Sequence, residues 1–317
     1  MITESIEFDA DKRTVLVTGA TGFVGRILVQ ALLRDGHRVI ALTRRPQEAT
    51  RIFEDKVRCV ASMDELDAGV QVDVVVNLAG ARILGPRWTG QRKETLRRSR
   101  VKLTQGVVDW IGRAQHKPFL FLSASAIGYY GIQAIGDETA LDETAPPQPM
   151  FMSDLCREWE AAARAATQFG VQVECTRFGL VLGHGGALPM MLLPVRLGIG
   201  GKLGSGRQWL SWIHVEDLVR AMAHRWQQAL KEGGRGEFGA TNFTAPECVS
   251  QAGFSRIAAR IWHRPAIVPT PGWPMRLALG EQADLLLEGQ RVVPARLERE
   301  GFSFRYPTLE AALRSLK

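Results

Sequence analysis

A chain of 317 residues with 45% hydrophobic and 23% charged side chains has the composition of a globular protein with a substantial core. The richest apolar region, residues 178–201, is interrupted by His184, Pro189, Pro194 and Arg196, so no segment is expected to span a bilayer and no membrane partner is expected. Of the net charge of +7, much sits between Arg82 and Lys102, where eight basic residues stand against Glu94 alone; without aromatic stacking residues or a nucleic-acid module, attraction to phosphates of a cofactor or substrate explains this at least as well as nucleic acid, and a solvated face explains it equally.

Residues 1–12 lack the cationic, apolar and small-residue succession of a secretory signal and read as a short tail. Residues 14–17 form a buried strand, followed by a Gly-rich turn and a helix with Val24, Ile27, Leu28, Ala31 and Leu32 on one side. Further strands are predicted at 38–42, 56–61 and 72–76. A long basic helix over 89–114 turns Val101, Thr104, Val107 and Val108 towards the sheet. A strand at 119–123, a helix at 153–169 and a strand at 171–178 complete the series. Strands alternating with helices imply a parallel sheet, so the expected fold is a Rossmann-type doubly wound α/β fold.

After Val181 the rhythm breaks. A Gly- and Pro-rich stretch runs to residue 206, followed by a helix at 215–229 and a short strand at 236–240. Helices are predicted at 250–262, 273–279, 282–287 and 309–316. The predicted division is a tail at 1–12, a cofactor domain at 13–181 to which later segments return, and a smaller substrate-side C-terminal region at 182–317. Cys59, Cys156, Cys175 and Cys248 show no C-x-x-C spacing, which fits reduced thiols in a cytoplasmic setting.

The strongest chemical signal is Thr18-Gly19-Ala20-Thr21-Gly22-Phe23-Val24-Gly25, placed after a strand and opening a helix. Gly19 permits the tight turn, Gly22 lets backbone N–H groups approach a pyrophosphate, and Gly25 lets helix pack on strand. The helix N-terminus adds partial positive charge beneath the diphosphate. NAD-specific sites place an Asp or Glu after the second strand, but here that strand ends in Thr43-Arg44-Arg45. Two guanidiniums in place of a carboxylate suit a 2′-phosphate, so NADP(H) is the expected cofactor. Asn77-Leu78-Ala79-Gly80 follows the fourth strand, where small residues let the chain pass beside the cofactor and Asn77 can fix the loop.

Together with Ser123-Ala124-Ser125-Ala126-Ile127-Gly128-Tyr129-Tyr130-Gly131, these motifs resemble an extended short-chain dehydrogenase/reductase. More narrowly, Arg87-Trp88-Thr89, Ser99-Arg100-Val101, Trp159-Glu160-Ala161-Ala162, Val181-Leu182-Gly183, Leu203 to Gln208, Ser211 to His214 and Leu286 to Pro294 are similar to the YfcH-like "sugar-nucleotide epimerase" family, atypical members with a small C-terminal domain. The resemblance implies Thr43 and Arg44 near the 2′-phosphate and Leu78 and Ala79 beside the cofactor. It further implies that Arg100 reaches the cofactor and that Val181 lies near the nicotinamide.

Catalysis departs from the pattern. Ordinary members use a Ser or Thr with a Tyr-x-x-x-Lys pair, the Lys lowering the Tyr pKa. Ser125 takes the Ser position, but Met152 and Cys156 fall where Tyr and Lys belong, leaving Tyr129 and Tyr130 as nearby substitutes. A phenol with pKa about 10 is a proton donor at neutral pH, which favours carbonyl reduction. His214 with Glu216 and Asp217 lacks metal spacing, and the carboxylates are ordinary for a first helical turn, so no metal is expected. Arg207 and Gln208 on a Gly loop, with His214, are the substrate-side candidates for an anionic or sugar-bearing ligand. Three readings stand: an NADP(H)-dependent oxidoreductase or epimerase acting on a sugar nucleotide or related carbonyl or alcohol; an NADP(H)-binding sensor or interaction protein that has lost catalysis; and, weakest, an RNA-binding module on residues 82–102.

Overall fold

A computed structural model describes residues 5–233 and 236–317. Its first half runs β1 (Thr14–Thr18), α1 (Phe23–Arg34), β2 (Arg38–Leu42), α2 (Pro46–Ile52), β3 (Arg58–Val60), β4 (Val74–Asn77), α3 (Gly90–Arg97), a π-turn (Arg98–Lys102), α4 (Leu103–Arg113), β5 (Leu120–Ala126), α5 (Phe151–Arg164) and β6 (Gln172–Phe178). The remainder holds β7 (Leu180–Leu182), α6 (Leu188–Arg196), β8 (Trp209–Leu210), β9 (Trp212–His214), α7 (Val215–Glu232), β10 (Phe238–Phe243), β11 (Val249–Ser250), α8 (Gln251–Trp262), α9 (Trp273–Leu279), α10 (Asp284–Leu287), α11 (Ala295–Arg299) and α12 (Leu309–Ser315).

Seven strands form one sheet in the order β10-β6-β5-β4-β1-β2-β3, with every pairing parallel. The order reverses between β1 and β4, and a doubly wound sheet opens its ligand crevice there, beyond the carboxyl ends of the strands. Alternate residues of β1 serve opposite layers. Val15 and Val17 meet Leu28 and Leu32 of α1 and Met222 and Trp226 of α7. Leu16 faces Val107 and Ile111 of α4.

Some elements differ from the sequence expectation. The basic helix at 89–114 is α3, a five-residue π-turn and α4 in succession. Inside the Gly- and Pro-rich stretch lie β7 and α6. The latter turns Leu188, Leu192 and Val195 into a third core with Trp212, Phe254 and Leu313. Helix α2 was not expected, because only Ala49 of its seven residues is buried and no apolar stripe announces it. Of the predicted tail, residues 1–4 lie outside the described residues. Phe8 is buried, its ring 5.6 Å from that of Trp226 and its N–H donated to Asp35 Oδ2 at 2.8 Å. The strand predicted at 236–240 is β10, shifted to Phe238–Phe243 and carrying the later chain back to the sheet. No helix among the described residues is long and apolar enough to cross a membrane.

Candidate active site

The crevice begins at the Gly turn. Gly19 has φ +69°, and a Cβ there would stand 2.8 Å from the Ala79 amide nitrogen, so only glycine lets the two loops meet. Gly22 donates its N–H to the Gly19 carbonyl at 2.9 Å and caps α1 without a side-chain bond. A Cβ on Gly25 would lie 2.2 Å from the Gly19 oxygen, which fixes how closely helix meets turn. Ala20 is buried, Thr21 half-buried, and Val24 packs on the core. Asn77 joins the layers: Thr18 Oγ1 donates to its Oδ1 at 2.6 Å, and its Nδ2 donates to Thr104 Oγ1 at 2.8 Å and Ser123 Oγ at 3.2 Å. The Ala79 N–H donates to Thr18 Oγ1 at 3.1 Å, setting the course of Leu78-Ala79-Gly80.

Past β2, Thr43 turns the chain by donating its N–H to the Val60 carbonyl at 2.9 Å. Arg45 pairs with Glu48 at 3.1 Å, whereas Arg44 is exposed and has no ion pair among the described residues. Arg100 sits in the π-turn, 8% exposed. It donates to the carbonyls of Ala81 at 3.0 Å and Leu96 at 3.3 Å and stands 5.3 Å over the Trp159 ring. Burial draws its pKa down to about 10, and among the described residues it has no carboxylate partner. A Cβ on Gly80 would come within 3.0 Å of its guanidinium carbon. Val181 is half-buried in β7, opposite Ile213. The turn after it closes on Phe23, since a Cβ on Gly183 or Gly185 would lie 2.4 or 2.6 Å from that ring.

Ser125 is the penultimate residue of β5, 2% exposed, and its Oγ donates to Glu160 Oε1 at 2.7 Å. Opposite it on β6, Arg177 grips the same carboxylate through Nε at 2.8 Å and Nη2 at 2.9 Å. Its Nη1 donates to Tyr130 Oη at 2.9 Å, and Tyr130 donates onward to Asn242 Oδ1 at 2.7 Å. Burial pushes the Tyr130 phenol up to about 12, against the pull of Arg177. That departs from the expected value near 10. Both hydrogen-bonding capacities of Tyr130 are engaged and the residue is 1% exposed, so its phenol is not presented to the crevice. Tyr129 is half-buried with the Arg177 guanidinium 3.5 Å over its ring, and its hydroxyl has no hydrogen-bond partner among the described residues. Met152 and Cys156 are both buried. Burial, reinforced by Glu160, pushes the Cys156 thiol up to about 12, so it is a neutral thiol where a lysine would bring charge.

The substrate-side candidates separate. Arg207 is exposed on its loop. Gln208 is buried, donating to the carbonyls of Leu203 and Leu286 at 3.1 Å each. His214 is also buried, accepting the Glu216 N–H at 3.2 Å as the cap of α7, its ring 3.9 Å from that of Tyr306. Glu216 and Asp217 bind Arg305 and Tyr306, so this cluster is a joint for the C-terminal segment. Sequence reading used Glu160 only as a motif residue and missed Arg177 and Asn242. The available signal was charge inside a strand that a parallel sheet buries on both faces, since a buried Arg needs a buried partner.

The description "NAD dependent epimerase/dehydratase family" matches residues 15–237, and a domain of unknown function (DUF1731) matches residues 270–316. Epimerase family protein SSP1921 of Staphylococcus saprophyticus is 40% identical over 95% of this chain and 98% of its own length. The crystal structure of human epimerase family protein SDR39U1 (isoform 2) with NADPH superposes with a TM-score of 0.83 at 34% identity, over 96% of this chain and 98% of that one. A structure titled as the nucleoside-diphosphate sugar epimerase from Corynebacterium glutamicum gives a TM-score of 0.74 at 31% identity, over 98% of this chain and 59% of the other. With its Gly turn at the switch point of the sheet and a match over most of its length, the chain belongs to the NAD-dependent epimerase/dehydratase family.

Proposed function

We propose that this chain binds NADP(H) and acts as an oxidoreductase or epimerase on a sugar nucleotide or a related carbonyl or alcohol, among the atypical YfcH-like members of its family. The observation that carries this reading is a pair of uncompensated guanidiniums beside the Gly turn. Arg44 stands after β2 without an ion pair among the described residues, where a carboxylate would accept from a ribose 2′-OH. Arg100 is buried against Gly80 with no carboxylate partner among the described residues. A buried cation without an anion is costly, and a cofactor phosphate supplies the missing charge. The human relative solved with NADPH supports the cofactor, and the name of the Corynebacterium relative supports the substrate class.

In this assignment Gly19 to Val24 and Leu78 to Gly80 cradle the dinucleotide. Thr43 and Arg44 hold the 2′-phosphate, and Val181 borders the nicotinamide, which supplies hydride chemistry when bound. Ser125 commits its proton to Glu160 and so offers lone pairs to a substrate hydroxyl. Tyr129 is the proton donor, Tyr130 positions Arg177, and Arg207 meets the anionic end of the substrate. Calorimetry on the Arg44→Ala variant is expected to show a loss of about 1.5–3 kcal/mol for NADPH and none for NADH. Equal losses for both cofactors would sink the assignment.

A second reading, an NADP(H)-holding sensor without turnover, is favoured by one observation: Ser125 and Tyr130 are closed into internal hydrogen bonds while Met152 and Cys156 replace the usual pair. Single-turnover oxidation of bound NADPH against keto-sugars and aldehydes separates the two. Tight NADPH binding with no consumption by any of them selects the sensor.

A further inference from the structure

Residues 175–215 and residues 248–280 contain no aspartate or glutamate, and each stretch carries four arginine or lysine residues, of which Arg177 is buried and paired with Glu160. Backbone bonds bring the two together: Val268 donates its N–H to the Gly200 carbonyl at 3.1 Å, and Thr270 to that of Lys202 at 2.8 Å. The same two stretches contain eight of the ten large hydrophobic side chains exposed among the described residues. Helix α6 is apolar on both sides. Leu188, Leu192 and Val195 fill the third core, while Met190 and Leu193 stand 76% and 56% exposed on the other face. A helix apolar all round has a second surface to cover. Leu197 and Ile199 continue that surface, and Ile267 reaches 79% exposure on the Pro-rich connection that meets it.

Charge narrows what covers this face. Arg260 pairs with Glu310 and Arg276 with Asp284, but Arg196, Lys202 and Arg264 are exposed without ion pairs among the described residues. A second copy docking about a twofold axis would set this basic face against the same basic face. A neutral apolar partner would strip them of water without an anion in return. The zone between phosphate headgroups and acyl chains satisfies both demands, taking apolar side chains on one level and Arg or Lys on another. Trp273, 70% exposed on α9, has the side chain that prefers this boundary. We infer that this face docks the protein on an anionic bilayer surface. The absence of a spanning helix among the described residues bears only on crossing a membrane, not on lying against one.

The test is sedimentation of the full chain with vesicles of phosphatidylcholine alone and of phosphatidylcholine mixed with phosphatidylglycerol. Binding is expected to the mixed vesicles only, weakening as salt rises. Each of Arg196→Gln, Lys202→Gln and Arg264→Gln is expected to lower the partition coefficient about fivefold. The double change Leu197→Ser with Ile267→Ser is expected to lower it by on the order of tenfold or more, with the melting temperature of the parent. Vesicles with brominated acyl chains should quench fluorescence in the parent more than in Trp273→Phe. Failure to sediment with anionic vesicles overturns the inference, as does equal sedimentation by the double variant. If the parent instead self-associates through Leu197 and Ile267, or binds polyglutamate but no vesicles, the face belongs to a protein partner and the inference fails. None of these variants touches the proposed cofactor site, so NADPH binding stays as an independent control.

Discussion

Ser125 has one proton, and Glu160 takes it. Tyr130 likewise has one, held by Asn242 while Arg177 fills the acceptor side. The two tyrosines are adjacent in sequence and differ in burial and bonding, which makes them a sharp comparison. Tyr130→Phe leaves the Arg177 Nη1 and Asn242 Oδ1 positions one bond short in a buried setting, so it is expected to cost about 1–3 kcal/mol of stability while NADPH consumption continues. Tyr129→Phe removes a hydroxyl without a partner among the described residues. It is expected to change stability by less than about 0.5 kcal/mol and to slow single-turnover consumption by roughly 10²–10⁴. Melting curves and stopped-flow traces on both variants check this; a turnover loss in Tyr130→Phe alone would reverse the assignment. Gly19 and Gly25 were legible because backbone geometry leaves no other residue type, and Asn77 because a turn after a strand needs a local hydrogen-bonding side chain. The Glu160–Arg177–Tyr130–Asn242 chain was not legible. Its members lie up to 112 residues apart, and nothing local in sequence pairs them.

Strands β1 and β4, and the start of β5, were readable because a parallel sheet buries both faces and compels near-continuous apolar runs, whereas Gln172, Glu174, Thr176 and Arg177 interrupt β6. Helix α6 was masked by Pro189 and Pro194 and by an apolar character that hides any period. The π-turn was also hidden, since one extra residue per turn leaves no trace in composition, yet it is the element that carries Arg100 inward. At the start of α7, His214 is held neutral: burial, then the nearby charges of His184 and Arg305, draw its pKa from 6.5 to about 4. Between those values the unfolded chain binds a proton that the native chain does not. Stability from this group is therefore complete above about pH 6.5 and falls as the pH drops towards 4. His214→Asn keeps a capping side chain and removes the titration. Its melting temperature is expected to fall less steeply than the parent's across that window; parallel profiles would show that His214 does not contribute.

At the scale of the molecule, the boundary drawn at residue 181 cuts through a shared core. Leu218, Met222 and Trp226 of α7 and Phe243 of β10 pack in the same cluster as Val15 and Leu28. A fragment ending at residue 181 would expose that layer and leave β6 as an open edge. It is expected to lack cooperative thermal unfolding and to aggregate, as followed by circular dichroism and light scattering. A soluble fragment with a sharp transition would establish an autonomous cofactor domain.

Phe23 opens the cofactor helix, yet its ring is enclosed by Gly183, Gly185 and Gly186 of the turn after β7. The segment leading into the C-terminal region therefore rests on the first residue of α1, inside the turn proposed to cradle the dinucleotide. Thermodynamic reciprocity follows from such a joint. If an occupant of one half favours one arrangement of this turn, the other half feels the same free energy, so each ligand changes the affinity of the other by one factor, whichever binds first.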